Sequence, residues 1–120
     1  MQGLYLPDVV KQHLRLLRKL STKNPATEQG FSIYFRSSEY YVQQDNGLPA
    51  LTVSDFSQLS PEKLLFVLKP DHIYLLHSHP FSEHPSPSGL DISTAQRFRE
   101  YYRDSEVTCV VVSKKGYYFY

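Results

Sequence analysis

The sequence predicts an α/β (α+β) fold, in which helices flank a mixed β-sheet. Three observations predict this fold class. The 120 residues suit one compact domain, residues 1–120, that is large enough to bury a hydrophobic core. Apolar residues recur at helical spacing in some segments and form short alternating or β-branched runs in others. The resulting order, α-β-β-β-α-β-α-β-β, is typical of helices packed on a mixed sheet.

The first predicted element is a helix over residues 7–20. Pro7 suits the first helical position, and an apolar stripe at helical spacing follows it, formed by Val10, Leu14 and Leu17. The other face of this helix carries a basic cluster, which we interpret as its solvated side: Lys11, Arg15, Arg18 and Lys19.

Strands dominate the next part of the chain. Residues 31–36 alternate apolar and polar side chains at their start, which indicates a half-buried strand. Ser37-Ser38 allows a turn into a second strand. The remaining predicted segments are the second strand at 40–42, a short third strand at 51–53 and a short helix at 60–68 that opens with Ser-Pro.

The second half of the chain supplies the central strands. Residues 72–77 have an apolar middle that suggests burial on both faces, and Pro80 ends this strand. Ser88 looks like the N-cap of a helix over residues 88–102. This helix is expected to direct one group of residues to the same face: Leu90, Thr94, Phe98 and Tyr101. The last predicted elements are a central strand at 107–112 and an edge strand at 117–120.

Composition excludes several classes of protein. The net charge of +1 gives no basic field, so neither nucleic acid nor a membrane surface is expected as a partner. Cys109 is the only cysteine, which excludes an internal disulfide and a cysteine-based zinc site; we interpret it as a buried residue. The sequence contains no apolar leader and no run of membrane-spanning length. A reducing, cytoplasmic location is therefore expected.

The chemistry-bearing residues are concentrated between His77 and Asp91. In a strand, side chains at i and i+2 point to the same face, so His77 and His79 can approach one ion. Asp91 falls in the first turn of the following helix, which can bring a carboxylate to the two imidazoles. Three protein ligands are typical of a catalytic zinc site. The other histidines carry no such pattern and are interpreted as surface or core residues: His13, His72 and His84.

A hydrolytic zinc site also needs a proton acceptor. The candidates upstream of His77 are Glu28, Glu39 and Glu62. Glu62 fits the first turn of the predicted short helix, and Glu39 fits a predicted hairpin tip. Glu28 stands at the boundary of the first strand, and this position favours it as the proton acceptor. Ser88 has two open roles, a hydrogen bond to a developing oxyanion or a plain helix N-cap.

The string His77-Ser78-His79-Pro80, seven residues, Ser88, two residues, Asp91 resembles the signature of the JAMM (MPN+, JAB domain) zinc metallopeptidases. The likeness covers nearly the whole chain. Within the family, the chain looks like a minimal, stand-alone prokaryotic type. It implies one Zn²⁺ on His77, His79 and Asp91, with Glu28 as general acid/base and Ser88 helping to hold the tetrahedral intermediate. It also implies a curved mixed sheet similar to the cytidine deaminase fold.

By this resemblance, the expected activity is hydrolysis of a peptide or isopeptide bond at the C-terminal tail of a ubiquitin-like or sulfur-carrier protein, or in a related peptide. Two alternatives stay open. RadC-type proteins, which occur in DNA and mobile-element contexts, share a similar string but usually have Asn where this chain has Ser78. A non-catalytic scaffold could instead use the zinc to stabilise its fold. The oligomeric state is not predicted.

Overall fold

The computed structural model describes residues 6–23, 29–44, 69–79, 87, 89–113 and 116–120. These residues form a mixed α+β fold with two helices and a five-stranded sheet. In chain order, the elements are α1 (Asp8–Lys23), β1 (Gly30–Arg36), β2 (Glu39–Gln44), β3 (His72–Ser78), α2 (Gly89–Tyr101), β4 (Glu106–Ser113) and β5 (Gly116–Phe119). Within these ranges, neither helix has the length and apolar character needed to cross a membrane.

The sheet has the strand order β2-β1-β3-β4-β5. The β3–β4 pair is parallel, and the other three pairs are antiparallel. A parallel pair needs a crossover connection, usually a helix, and α2 lies between β3 and β4 in the chain. This topology confirms the mixed sheet, with β3 at its centre, β4 in its interior and β5 at its edge.

The β1–β2 hairpin follows from its turn residues. Ser37 and Ser38 both have positive φ, 51° and 66°, the backbone conformation that a tight two-residue hairpin turn requires. The structure extends the predicted second strand in both directions, because Arg36 pairs with Glu39 and Phe31 with Gln44. The predicted strand at 51–53 and helix at 60–68 lie outside the described residues.

The larger core cluster lies between α1 and one face of the sheet. The predicted stripe of α1 is buried, with Val10 and Leu17 fully inaccessible to solvent. These side chains pack with alternate residues of the central strands: Phe31, Ile33, Tyr74, Leu76, Val110 and Val112. The four cations of the predicted basic cluster are exposed, as an amphipathic surface helix requires.

The opposite face of the sheet is covered by α2. Its inward side carries Ala95, which is buried, and Phe98, which packs with Tyr102 against a smaller cluster around Ile73. Exposure varies along the expected face, because Leu90 is 72% exposed and Tyr101 is 83% exposed, whereas Phe98 is partly buried. Small Ala95 allows a close approach to the sheet, and apolar spacing alone did not identify the side on which it lies.

Leucine truncation on the two helices provides a stability test. Leu17→Ala removes a fully buried side chain, and we expect the free energy of unfolding to fall by about 2–5 kcal/mol. The matched control, Leu90→Ala, removes a leucine that is largely exposed and should change stability by less than about 0.5 kcal/mol. Urea denaturation followed by circular dichroism measures both. Equal losses for the two variants would contradict the assignment of buried faces.

Candidate metal centre

The carboxyl end of β3 holds two histidines in an extended segment. His77 pairs with Gly30 on one side and with Val111 on the other. Hydrogen bonding continues past the end of the strand, because the His79 amide donates to the Val112 carbonyl at 3.0 Å. The backbone from His77 to His79 is therefore fixed in extended form, and both imidazoles project from the same face of the sheet.

Ser78 lies between these histidines and points to the opposite face, where it is fully buried. Its amide donates to the Gln29 carbonyl at 2.8 Å, and its hydroxyl oxygen accepts a bond from the Gln29 amide at 3.1 Å. Ser78 thus joins the start of β1 to the end of β3. Sequence reasoning gave it no structural role, although a small polar residue between two same-face ligands must point to the other side of the sheet.

Asp91, in the first turn of α2, completes the cluster. Its Oδ2 atom lies 3.3 Å from Nε2 of His77 and 3.0 Å from Nε2 of His79. The two imidazole rings are tilted by 57° with centroids 5.0 Å apart. His79 is buried, whereas His77 and Asp91 are partly accessible. One face of the cluster is therefore enclosed by protein and another can be reached from solvent.

The cluster could hold a metal ion, because its three ligand atoms all lie within 4.8 Å of one another. Zinc has bonds of about 2.0–2.2 Å to nitrogen and oxygen in a tetrahedral site, which corresponds to ligand atoms about 3.3–3.6 Å apart. The two histidine–carboxylate separations, 3.3 and 3.0 Å, are close to that spacing. Imidazole nitrogens and a carboxylate oxygen are donors that zinc accepts, so the residues present fit this ion.

Two further residues lie close to the cluster. The ring of Tyr120 meets that of His77 edge to face, with centroids 6.4 Å apart and an interplanar angle of 90°. No local sequence signal predicts this contact, because it joins the residue after β5 to β3 across β4. Cys109 is buried. Burial raises the pKa of its thiol to about 11, with the Asp91 carboxylate adding to the rise and Arg99 opposing it, so this thiol stays protonated at neutral pH.

The remaining histidines have ordinary structural roles where the structure describes them. Nδ1 of His13 lies 2.7 Å from the Val9 carbonyl oxygen, and burial lowers the pKa of this histidine. Nε2 of His72 lies 2.7 Å from the Thr108 hydroxyl. Burial also lowers the pKa of His72, against the opposing effect of Glu106. His84 lies outside the described residues.

The three predicted metal ligands are brought together, whereas both predicted catalytic residues, Glu28 and Ser88, lie outside the described residues, as does Glu62. Glu39 is described, and it lies at the far end of β1. It pairs with Arg36, while Gly30 at the other end pairs with His77. Strand geometry separates these ends by about 20 Å. Glu39 is therefore too distant to act on a molecule bound at His77.

Comparison of the chain with models of known protein families gives no match, and comparison with curated proteins gives no significant match.

Replacing one candidate ligand should abolish tight metal binding. We expect wild-type protein to retain about one zinc per chain after dialysis. The His77→Ala variant should bind zinc at least about 100-fold more weakly, a larger loss than a substitution outside the ligand set causes. The matched control is His72→Ala, which removes another histidine of β3 that is bonded to Thr108 and should leave zinc affinity unchanged. Competition with a chromophoric chelator measures the affinities. Equal zinc affinity in wild type and His77→Ala would contradict the site.

Proposed function

We propose that this chain is a zinc-dependent peptidase or isopeptidase of the JAMM type, with one Zn²⁺ held by His77, His79 and Asp91. The observation that carries the proposal is the convergence of these side chains, with ligand atoms within 4.8 Å of one another. Their sequence spacing, which includes Pro80 and Ser88, supports the same class of enzyme. The mixed sheet with a helix on each face is compatible with the curved, deaminase-like sheet that the resemblance implies.

The ion, when bound, would lower the pKa of a coordinated water to about 7 and polarise the carbonyl of the scissile amide. In this proposal, Glu28 would accept a proton from the water as its oxygen bonds to the carbonyl carbon, and would pass that proton to the amine nitrogen as the C–N bond breaks. Ser88 donates a hydrogen bond to the carbonyl oxygen as negative charge develops on it. His79, buried and fixed through its amide to Val112, keeps one side of the site rigid.

Support for Glu28 comes from its neighbour in the sequence. Gln29 is bonded through its amide and its carbonyl to Ser78, the residue between the two candidate histidine ligands. Glu28 precedes Gln29 directly in the sequence, and this adjacency is what favours it in the proposal. Glu39, about 20 Å away along β1, has no comparable support.

The proposed substrate is the flexible C-terminal tail of a ubiquitin-like or sulfur-carrier protein, or a related peptide, encountered in the cytoplasm. An extended tail can bind through backbone hydrogen bonds, and small residues in it would pass close to a metal at the end of a strand. No nucleic-acid or membrane partner is part of this proposal.

A substitution of Glu28 separates chemistry from metal binding. Glu28→Gln removes the proton acceptor and keeps the shape of the side chain, so we expect cleavage to fall by about 100-fold or more with zinc content unchanged. The control is Glu39→Gln, which alters a carboxylate bonded to Tyr41 and should leave cleavage unaffected. The substrates are ubiquitin-like and sulfur-carrier proteins with short C-terminal extensions, followed by mass spectrometry.

Full activity of zinc-loaded Glu28→Gln would remove Glu28 from the mechanism. If wild-type protein cleaves none of these substrates and chelation unfolds it, the ion has a structural role and the peptidase proposal is wrong.

A further inference from the structure

The edge strand β5 brings aromatic side chains to the metal side of the sheet. Gly30, His77, Val111 and Tyr118 form one row across β1, β3, β4 and β5, because each residue is paired with the next. Side chains in one row of a sheet point to the same face. Tyr118 therefore projects from the face that carries His77, and Tyr120, two residues later, projects from it as well.

Tyr117 belongs to the opposite face. Its ring centroid lies 6.0 Å from the Cζ atom of Arg18 on α1. Phe119, two residues later on the same face, packs against the core cluster that α1 covers. Tyr117 and Tyr118 are thus consecutive tyrosines with nearly equal exposure, 41% and 44%, on opposite faces of the same strand.

The end of β5 is held in place by α2. Nη2 of Arg99 donates to the Tyr120 carbonyl at 2.7 Å and to the Val107 carbonyl at 3.0 Å. The Tyr120 amide donates to the Cys109 carbonyl at 2.9 Å. These bonds hold the backbone of Tyr120 in a position from which its ring contacts the His77 ring. The backbone at the end of β5 is consequently fixed beside the candidate metal centre, and the Tyr118 and Tyr120 side chains that project from it are called the aromatic wall.

Other apolar side chains are exposed around the same centre. Leu90 and Ile92 flank Asp91 in the first turn of α2, and both are exposed. Exposed apolar residues grouped at one place commonly mark a binding surface. Arg99 contacts the Tyr120 carbonyl and would repel a positively charged side chain, as would a bound metal ion. An apolar side chain fits these surroundings best.

We propose that Tyr118 and Tyr120 form a substrate subsite that selects an apolar or aromatic side chain of a polypeptide. This inference rests on the proposed function and adds a specificity to it. Tyr118 lies two strand spacings from His77, about 10 Å, and an extended peptide advances about 3.3 Å per residue. The selected side chain is therefore about three residues from the scissile amide.

The test uses fluorescently labelled peptides that are identical except for one residue, Phe, Leu, Ser or Lys, placed three residues from a Gly–Gly amide. Binding to zinc-loaded protein is measured by fluorescence anisotropy, and cleavage is measured separately by mass spectrometry. We expect the Phe and Leu peptides to bind about tenfold more tightly than the Ser peptide, the gain that partial burial of one large apolar side chain provides. The Lys peptide should bind no better than the Ser peptide.

Three variants locate the preference. Tyr118→Ala should reduce the Phe-to-Ser ratio to about twofold or less, and Tyr118→Phe should preserve it, because the aromatic face makes the contact. Tyr117→Ala is the matched control on the other face and should keep the wild-type ratio. An unchanged ratio in Tyr118→Ala, an equal loss in Tyr117→Ala, or strongest binding of the Lys peptide would overturn the subsite.

Failure of the subsite and failure of the proposed function give different results. Selective binding that depends on Tyr118, without cleavage of any peptide, supports the subsite and counts against the peptidase. Cleavage of all four peptides at equal rates and with equal affinity overturns the subsite and leaves the peptidase intact.

Discussion

The candidate site depends on the hydrogen-bonded pairing of β3 with a strand on each side. Pairing with β1 and β4 extends to Ser78 and His79, whose amides donate to Gln29 and Val112. A strand end without these bonds would leave the backbone between the two histidines free to rotate, and their imidazoles would not stay on one face. The central position of β3 is therefore a structural requirement of the candidate metal centre.

The second requirement is the position of α2, because Asp91 is the one candidate ligand that does not come from the β3 segment. The helix is held against the sheet by buried Ala95 and by Phe98 in the smaller cluster. Arg99 adds two bonds, to carbonyls of β4 and of the residue after β5. Packing of one helix thus places a candidate ligand at its first turn and holds the end of β5 beside the candidate ligands. Changes in the packing of α2 should therefore alter both the position of Asp91 and the position of the aromatic wall.

Much of this arrangement is predictable from sequence because its determinants are local. The helix stripe of α1, the β-branched run of β4 and the His-x-His spacing each depend on neighbouring residues. The buried side of α2 is not evident from the apolar spacing of Leu90 and Tyr101, because it is set by Ala95 and Phe98 meeting the sheet, a tertiary effect. The contact between Tyr120 and His77 depends on the order of three strands. Local patterns do not determine that order.

The binding of one zinc ion by two imidazoles and one carboxylate can be tested by zinc K-edge X-ray absorption on protein loaded with one equivalent of zinc. We expect a low coordination number with nitrogen and oxygen ligands at about 2.0–2.2 Å, the outer-shell scattering of two imidazoles and no sulfur. A spectrum without imidazole scattering, or one with a zinc–sulfur distance of about 2.3 Å, would contradict this mode of binding.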